Sequence, residues 1–290
     1  MVRRRASEPV DCSGTTADGS VPVDERIATV FLPGGPVDYT LRHSPRARSL
    51  RVLIHPERGV VVTVPATRAG RANGERRAAE FLGQREAWLR RHLARHEDIQ
   101  AELAARGGAR DGGAIPYLGD LHRVWVVPAV SGIRRSDVVH FAGTWELIVH
   151  RIARETKADA AIMERWLREQ ARQAIDEAIA RHAPVLAVTP TAVTLRDPRS
   201  RWGSASRHGR LSFSWRLILA PPAVLETVVV HELAHLRVFG HGPRFWGLVA
   251  SIVPEHRTWR RWLHDHATGL HAALVPRPDP ETPETPPAPG

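Results

Sequence analysis

The sequence predicts an α+β protein, in which a β-rich N-terminal region with one long helix precedes a helical region carrying a small sheet. Three observations predict it. Apolar and polar residues alternate on both sides of a turn at HPERG, placing Leu50, Val52 and Ile54 before it and Val60, Val62 and Val64 after it. Further on, Ile162, Met163, Trp166, Leu167, Ala174, Ile175 and Ile179 recur at helical spacing. Strand patterns gather in the first half of the chain and helix patterns in the second, which is the segregation of an α+β fold.

The elements follow in order. Residues 1–24 show no periodicity and predict a disordered arm. Residues 25–150 form the β-rich region, with the hairpin closed by Pro65 and a helix over about 75–106 that carries Phe81, Leu82, Trp88, Leu89 and Leu93. Gly107, Gly108, Gly112 and Gly113 break that helix. Residues 117–130 and 138–149 predict further strands, divided by SGIRRSD. The region 151–274 opens on the long helix, from about Asp159 to His182, which Pro184 ends. Short strands at 193–196 and 210–215 then flank the loop DPRSRWGSASRHG. Pro221 and Pro222 open another helix, where a missing N–H is not needed. Residues 275–290 are too rich in proline for helix or central strand and predict a disordered tail.

Composition narrows the class. The chain has 290 residues, of which 42% are hydrophobic, enough to bury a core. Its single cysteine, Cys12, excludes an internal disulfide and any four-cysteine zinc site. No apolar segment follows the basic start, and no apolar run approaches the roughly 20 residues needed to cross a bilayer. A cytoplasmic protein without a membrane partner is expected. The net charge of +10 is almost all arginine, since Lys157 is the only lysine. Those arginines are scattered, often beside glutamates, so the charge reads first as a solvated basic surface and second as a nucleic-acid contact. Oligomeric state is not written in the sequence.

The chemistry lies in ETVVVHELAHLRVFGHG. His231 and His235, four residues apart on a helix, project from one face one turn apart. Their nitrogens can share an ion at the ~2.0–2.1 Å that zinc prefers. Glu232 stands about 100° round the helix, placed to take a proton from water beside the ion. Chance would produce HExxH in this chain on the order of 5% of the time, so the surroundings must decide. Val224, Leu225, Val228, Val229, Leu233 and Leu236 make the helix strongly apolar, and a polar pair buried there needs a ligand or hydrogen bonds. Gly240 is suited to a left-handed cap that reverses the chain, bringing His241 back as a third ligand. Three protein ligands and an open position describe a catalytic rather than a structural zinc. The alternative is that all three are ordinary core and turn histidines. His92 and His96 share the four-residue spacing but sit among Arg90, Arg91 and Arg95, which would repel a cation, and His264 and His266 point different ways.

These motifs, SRWGSAS at 200–206, GRLSFSWRLILAPP at 209–222, VVVHELAHL at 228–236 and GHGPRFW at 240–246, resemble the YgjP-like metallopeptidases, distant relatives of the SprT-like proteases within the zincins. YTLRHSPRARSLRV from Tyr39, Trp88 and IPYLG from Ile115 extend the resemblance to about residues 37–267. It implies a zincin-like catalytic region, one zinc ion held by His231, His235 and His241, and Glu232 as general base and acid. Two positions depart from the family pattern: Ala205, commonly cysteine, and Ser214, often asparagine.

Arg201 and the backbone around Gly203 and Ser204 are candidate substrate or oxyanion contacts. The competing reading makes Trp202 a packing wedge and Gly203 a tight turn. The strand 211–215 is expected to offer an edge to an extended peptide, and Phe245, Trp246 and Leu248 to pack behind the site. The function expected is zinc-dependent hydrolysis of peptide bonds, with a protein or peptide substrate. Two alternatives stand beside it: a protease recruited to DNA to cut proteins bound there, and a non-catalytic, zinc-stabilised binding module.

Overall fold

A computed structural model describes residues 24–55, 58–141, 143–198 and 201–275, so the expected arm at 1–23 and tail at 276–290 lie outside it. The described residues form six α-helices and three small mixed sheets, an α+β architecture. Contacts divide the chain into two compact units at Leu93/Ala94.

In the first unit, β1 (Asp24–Leu32), β2 (Gly35–Ser44), β3 (Arg51–His55) and β4 (Gly59–Pro65) make one sheet in the order β1-β2-β4-β3. The hairpin read from the sequence is the antiparallel pair β3–β4, with Val52 opposite Val62. Alternate residues of β2 and β4 (Val37, Tyr39, Leu41, Val60, Val62, Val64) face inward and are buried with Ala78 and Leu82 of α1 (Arg68–Gln84). The single helix expected over 75–106 is two, α1 and α2 (Glu86–Arg106), broken at Arg85. The Arg85 amide bonds the Leu82 carbonyl at 3.1 Å, a tightened last turn beside the weak helix former Gly83.

The second unit holds the chemistry-bearing helix. Its larger sheet runs β5-β6-β8-β7, from β5 (Ala114–Tyr117), β6 (Asp120–Pro128), β7 (Asp137–His140) and β8 (Glu146–Arg151). Each apolar stretch read as one strand is therefore split. Leu118 and Gly119 turn β5 into β6, and a turn closed by Thr144 N–H on the Phe141 carbonyl separates β7 from β8. Next comes α3 (Asp159–His182), whose bounds match the sequence reading and whose Ile162, Met163, Leu167, Ala171 and Ile175 are fully buried.

A three-stranded sheet follows in the order β10-β11-β9, from β9 (Ala192–Arg196), β10 (Gly203–Ala205) and β11 (Arg210–Ser214). The strand expected to be an edge is thus the centre, paired in parallel to β9 and antiparallel to β10. β10 lies inside what the sequence reads as a loop. Ser214 ends β11 and caps a 3-10 turn (Trp215–Leu219), its Oγ accepting the Arg216 N–H at 3.3 Å. That gives the position departing from the family pattern a structural role.

The remaining helices are α4 (Pro222–His235), α5 (Pro243–Ile252) and α6 (His256–Ala272). α4 is apolar on nearly every side and is buried accordingly. Val224, Leu225, Val229 and Leu233 join the main core with α3, while Val230 and Ala234 pack on Phe245 and Val249 of α5. The 3-10 turn that leads into it is braced by the β5–β6 turn, where the Leu118 and Gly119 amides bond the Ile218 and Leu219 carbonyls at 2.8 and 3.2 Å. Gly119 has φ +94°, and a Cβ there would come within 2.9 Å of the Pro221 backbone.

Glu226 ties α4 to α3 by accepting from His182 Nε2 (2.6 Å) and Arg181 (2.9 Å). Burial raises its pKa, but the hydrogen bonds and charges of His182 and Arg181 outweigh this and hold it below the ordinary glutamate value. A depressed carboxylate stabilises the fold above its unfolded pKa and ceases to do so as pH falls through the folded one. Glu226→Gln should therefore cost about 1 kcal/mol at pH 7, lowering Tm by about 2–4 °C. The difference from the parent should close as pH falls through the folded carboxyl's lowered value, and thermal melts from neutral to acid pH test it. An equal gap at both ends would remove the ionic contribution.

Candidate metal centre

The site is assembled by α4, the turn after it and the start of α5. His231 and His235 project from successive turns of α4. The helix then tightens: the Leu236 and Arg237 amides bond the Leu233 and Ala234 carbonyls, and Val238 N–H bonds Ala234 O at 2.9 Å. The chain has turned by then, so Gly240 is not left-handed as expected; its φ is not positive. Even so, His241 returns to the helix. The three Nε2 atoms lie 3.2 Å (His231–His235), 3.1 Å (His235–His241) and 3.2 Å (His231–His241) apart.

This triangle fits a tetrahedral cation, whose ligand nitrogens at ~2.0–2.1 Å would stand about 3.3–3.4 Å from one another. Without a cation it is frustrated. A neutral imidazole nitrogen either donates or accepts, so three of them cannot all pair. His235 Nδ1 faces the Val238 carbonyl at 3.2 Å and donates to it, which leaves Nε2 with a bare lone pair aimed at its neighbours. Burial first, then the charges of His235, His241, Arg260 and His256, push His231 down to about 3. Burial also lowers His235. Both rings are therefore neutral at pH 7, the form that coordinates metal. The three histidines are the one such group of three found among the described residues.

Aromatic rings hold the imidazoles in place. Phe245 is fully buried and stacks on His235 at 4.4 Å and 27°, with its edge toward His231 at 4.9 Å. Trp246 lies over His241 at 5.6 Å and 27°. Behind Trp246 stand the buried His256 ring at 5.4 Å and the Arg260 guanidinium, 4.2 Å from the Trp246 ring. Sequence reading anticipated Phe245 and Trp246. It missed His256 and Arg260, whose alignment depends on the α5–α6 turn, and the Val238 carbonyl, because backbone groups carry no residue signature.

Glu232 is 6% exposed, and burial pushes its carboxyl up to about 7 against the lowering influence of Arg201. The backbone of Gly203 in β10 presses on it. A Cβ at Gly203 would stand 2.6 Å from Oε1 and 2.7 Å from Cγ of Glu232. The requirement for glycine here is close approach rather than the tight turn. Trp202 does pack as a wedge, stacked on His271 at 4.9 Å and 25° and against the main core. Arg201, Gly203, Ser204 and Ala205 all line a groove of about 790 Å³ along β10. By contrast, His92 and His266 each turn Nδ1 onto a carbonyl of their own helix, at Trp88 and Trp262.

Gly203→Ala should therefore displace β10 or the carboxylate while leaving the histidine triangle intact. Any hydrolysis should fall by about two orders of magnitude or more, with metal content per chain unchanged. Full activity in this variant would show that the contact is not needed.

Comparison with known proteins completes the description. Neither curated proteins nor solved structures returned a significant match. The YgjP-like metallopeptidase domain matches residues 48–266, which includes the histidine triangle, Glu232 and β10. With three quarters of its length covered by that match, the chain belongs to the YgjP-like metallopeptidase family.

Proposed function

We propose that this metallopeptidase is zinc-dependent, with His231, His235 and His241 as the metal ligands and Glu232 as the general base and acid. The observation that carries the reading is the convergence of three imidazole Nε2 atoms at 3.1–3.2 Å beside the helix that also bears a buried carboxyl. Nitrogen-only donors in a three-cornered set suit zinc over magnesium or calcium, which favour oxygen.

When bound, zinc supplies Lewis acidity: it polarises the peptide carbonyl and makes water acidic enough to be deprotonated near neutral pH. The chain's own residues do the rest. Glu232 takes a proton from the attacking water and passes it to the departing amine. Its burial keeps the carboxyl's proton affinity near neutrality, where both transfers run. Gly203 holds β10 against that carboxyl and so limits the water around it. Phe245 and Trp246 fix the imidazole planes, so the ligand set is organised before the ion arrives. Arg201 and the backbone of Gly203 and Ser204, which border the groove along β10, would serve for substrate or oxyanion contact.

Glu232→Gln should retain about one zinc per chain and lose about 10²–10⁴-fold in kcat, whereas His235→Ala should lose the metal. Atomic absorption on the purified variants, with hydrolysis of a casein-type substrate, separates the two roles. A Glu232→Gln protein that cleaves as fast as its parent would end the base assignment, and a His235→Ala protein that keeps its zinc would end the ligand assignment.

A further inference from the structure

The sheet β10-β11-β9 has two unlike faces. Register pairs Ala192 with Arg210, Thr194 with Ser212, and Ser212 with Ser204, so these residues share one face. The other face carries Val193, Leu195, Leu211 and Phe213 and belongs to the main core. The outer face forms the floor of the 790 Å³ groove, within the ordinary range for a ligand site. Three arginines line it: Arg196 at the end of β9, Arg210 at the start of β11, and Arg201 before β10. Hydroxyls from Thr191, Thr194, Ser204, Ser206 and Ser212 fill the space between them. No aspartate or glutamate lines the groove among the described residues. Asp197, which follows β9, is already held by Arg216 through two hydrogen bonds of 2.7 and 3.0 Å.

In many other places arginine is met by carboxylate, within helices as in Arg168–Glu164 and Arg172–Asp176, or between elements as in Arg181–Glu226. Here three guanidiniums line one cavity together with hydroxyl side chains and, among the described residues, no carboxylate. Gly203 belongs to the lining, and the opposite, core-facing side of its backbone packs against Glu232.

We infer that the groove on the outer face of this sheet binds an acidic stretch of the polypeptide substrate, next to the bond that is cut. The inference rests on the peptidase reading for what the groove delivers and adds the substrate class. Three strands about 4.8 Å apart span roughly 10 Å, the length of about three extended residues. Carboxylates at that reach from the cleaved bond meet Arg210 and Arg196 as charge-assisted partners. A nucleic acid would also be drawn to arginine, but the chain belongs to a metallopeptidase family, which makes polypeptide the ligand to expect. A peptide can lay its backbone on β10 and offer its acidic side chains to Arg196 and Arg210.

Binding is read separately from hydrolysis. Fluorescein-labelled peptides of about twelve residues, identical except for a run of Glu, Ser or Lys on either side of a neutral centre, are titrated by anisotropy into Glu232→Gln protein incubated with zinc. One of the two Glu peptides should bind about tenfold tighter than its Ser counterpart, and added salt should weaken it. Arg196→Glu combined with Arg210→Glu should invert the order in favour of Lys. If that variant does not fold, Arg196→Gln with Arg210→Gln should bring the ratio to about one. A ratio near one in the unsubstituted groove, or tightest binding of a Lys peptide, overturns the inference. Tighter binding of an oligothymidylate that displaces the Glu peptide overturns it in favour of nucleic acid. Hydrolysis of the same peptides by the zinc-loaded parent then judges the other reading alone. Failure to cut any of them ends the peptidase assignment and leaves the binding result standing.

Discussion

The arrangement around α4 depends on one constraint: three imidazole nitrogens are held at 3.1–3.2 Å from one another although neutral imidazoles cannot satisfy all three contacts. The surrounding structure holds them in that position. α4 is fixed on two sides, by the main core through Val229 and Leu233 and by α5 through Val230 and Ala234. Its start is pinned by the β5–β6 turn. The tightened turn after His235 supplies the carbonyl that sets the His235 tautomer. Phe245, itself fully buried, leaves the two helix-borne rings little freedom to rotate away. A cation at the centre of the triangle would give each lone pair a partner, and a ligand set already held in place loses little freedom on binding it.

The same economy governs the carboxyl. A buried glutamate without compensation is costly, and α4 places Glu232 where only 6% of it meets solvent. β10 is what seals it, since Gly203 offers backbone in the place of a side chain. A three-residue strand would have little stability alone. It is retained by its pairing to β11, with Gly203 opposite Phe213 and Ala205 opposite Leu211, both of which are buried in the core. The glutamate's environment is thus set by a core that it does not belong to.

What the sequence made legible follows from how each feature is encoded. α3 was readable to the residue because its stripe is long and bounded by Pro184. His231, His235 and His241 were readable because ligand chemistry needs those side chains at those offsets. β10 was not, because Gly203, Ser204 and Ala205 show no apolar alternation and their strand exists only through β11. For the same reason 211–215 looked like an edge: one neighbour, β9, is reached by a crossover, and the other lies hidden in the apparent loop. The split of 138–149 into β7 and β8 was masked because both halves are apolar, while the Gly143 turn adds only a brief interruption. Gly240 was misjudged because a glycine near a helix end suggests a left-handed cap, whereas this helix closes through i→i+3 bonds four residues earlier.

Charge distribution carries the last step. A net charge of +10 spread over the surface gives a diffuse attraction for any polyanion, and by itself selects nothing. Selection needs local asymmetry. Many arginines are met by a neighbouring carboxylate, as Arg216 is by Asp197 and Arg181 by Glu226. Arg196, Arg201 and Arg210 instead line one concave space that has no aspartate or glutamate in its lining among the described residues. An anionic segment is drawn to such a patch and a cationic one is repelled from it. Selection of that kind needs no lid, because it follows from the register of β9 and β11, which sets Arg196, Thr194, Arg210 and Ser212 on the outer face while Val193, Leu195, Leu211 and Phe213 fill the core.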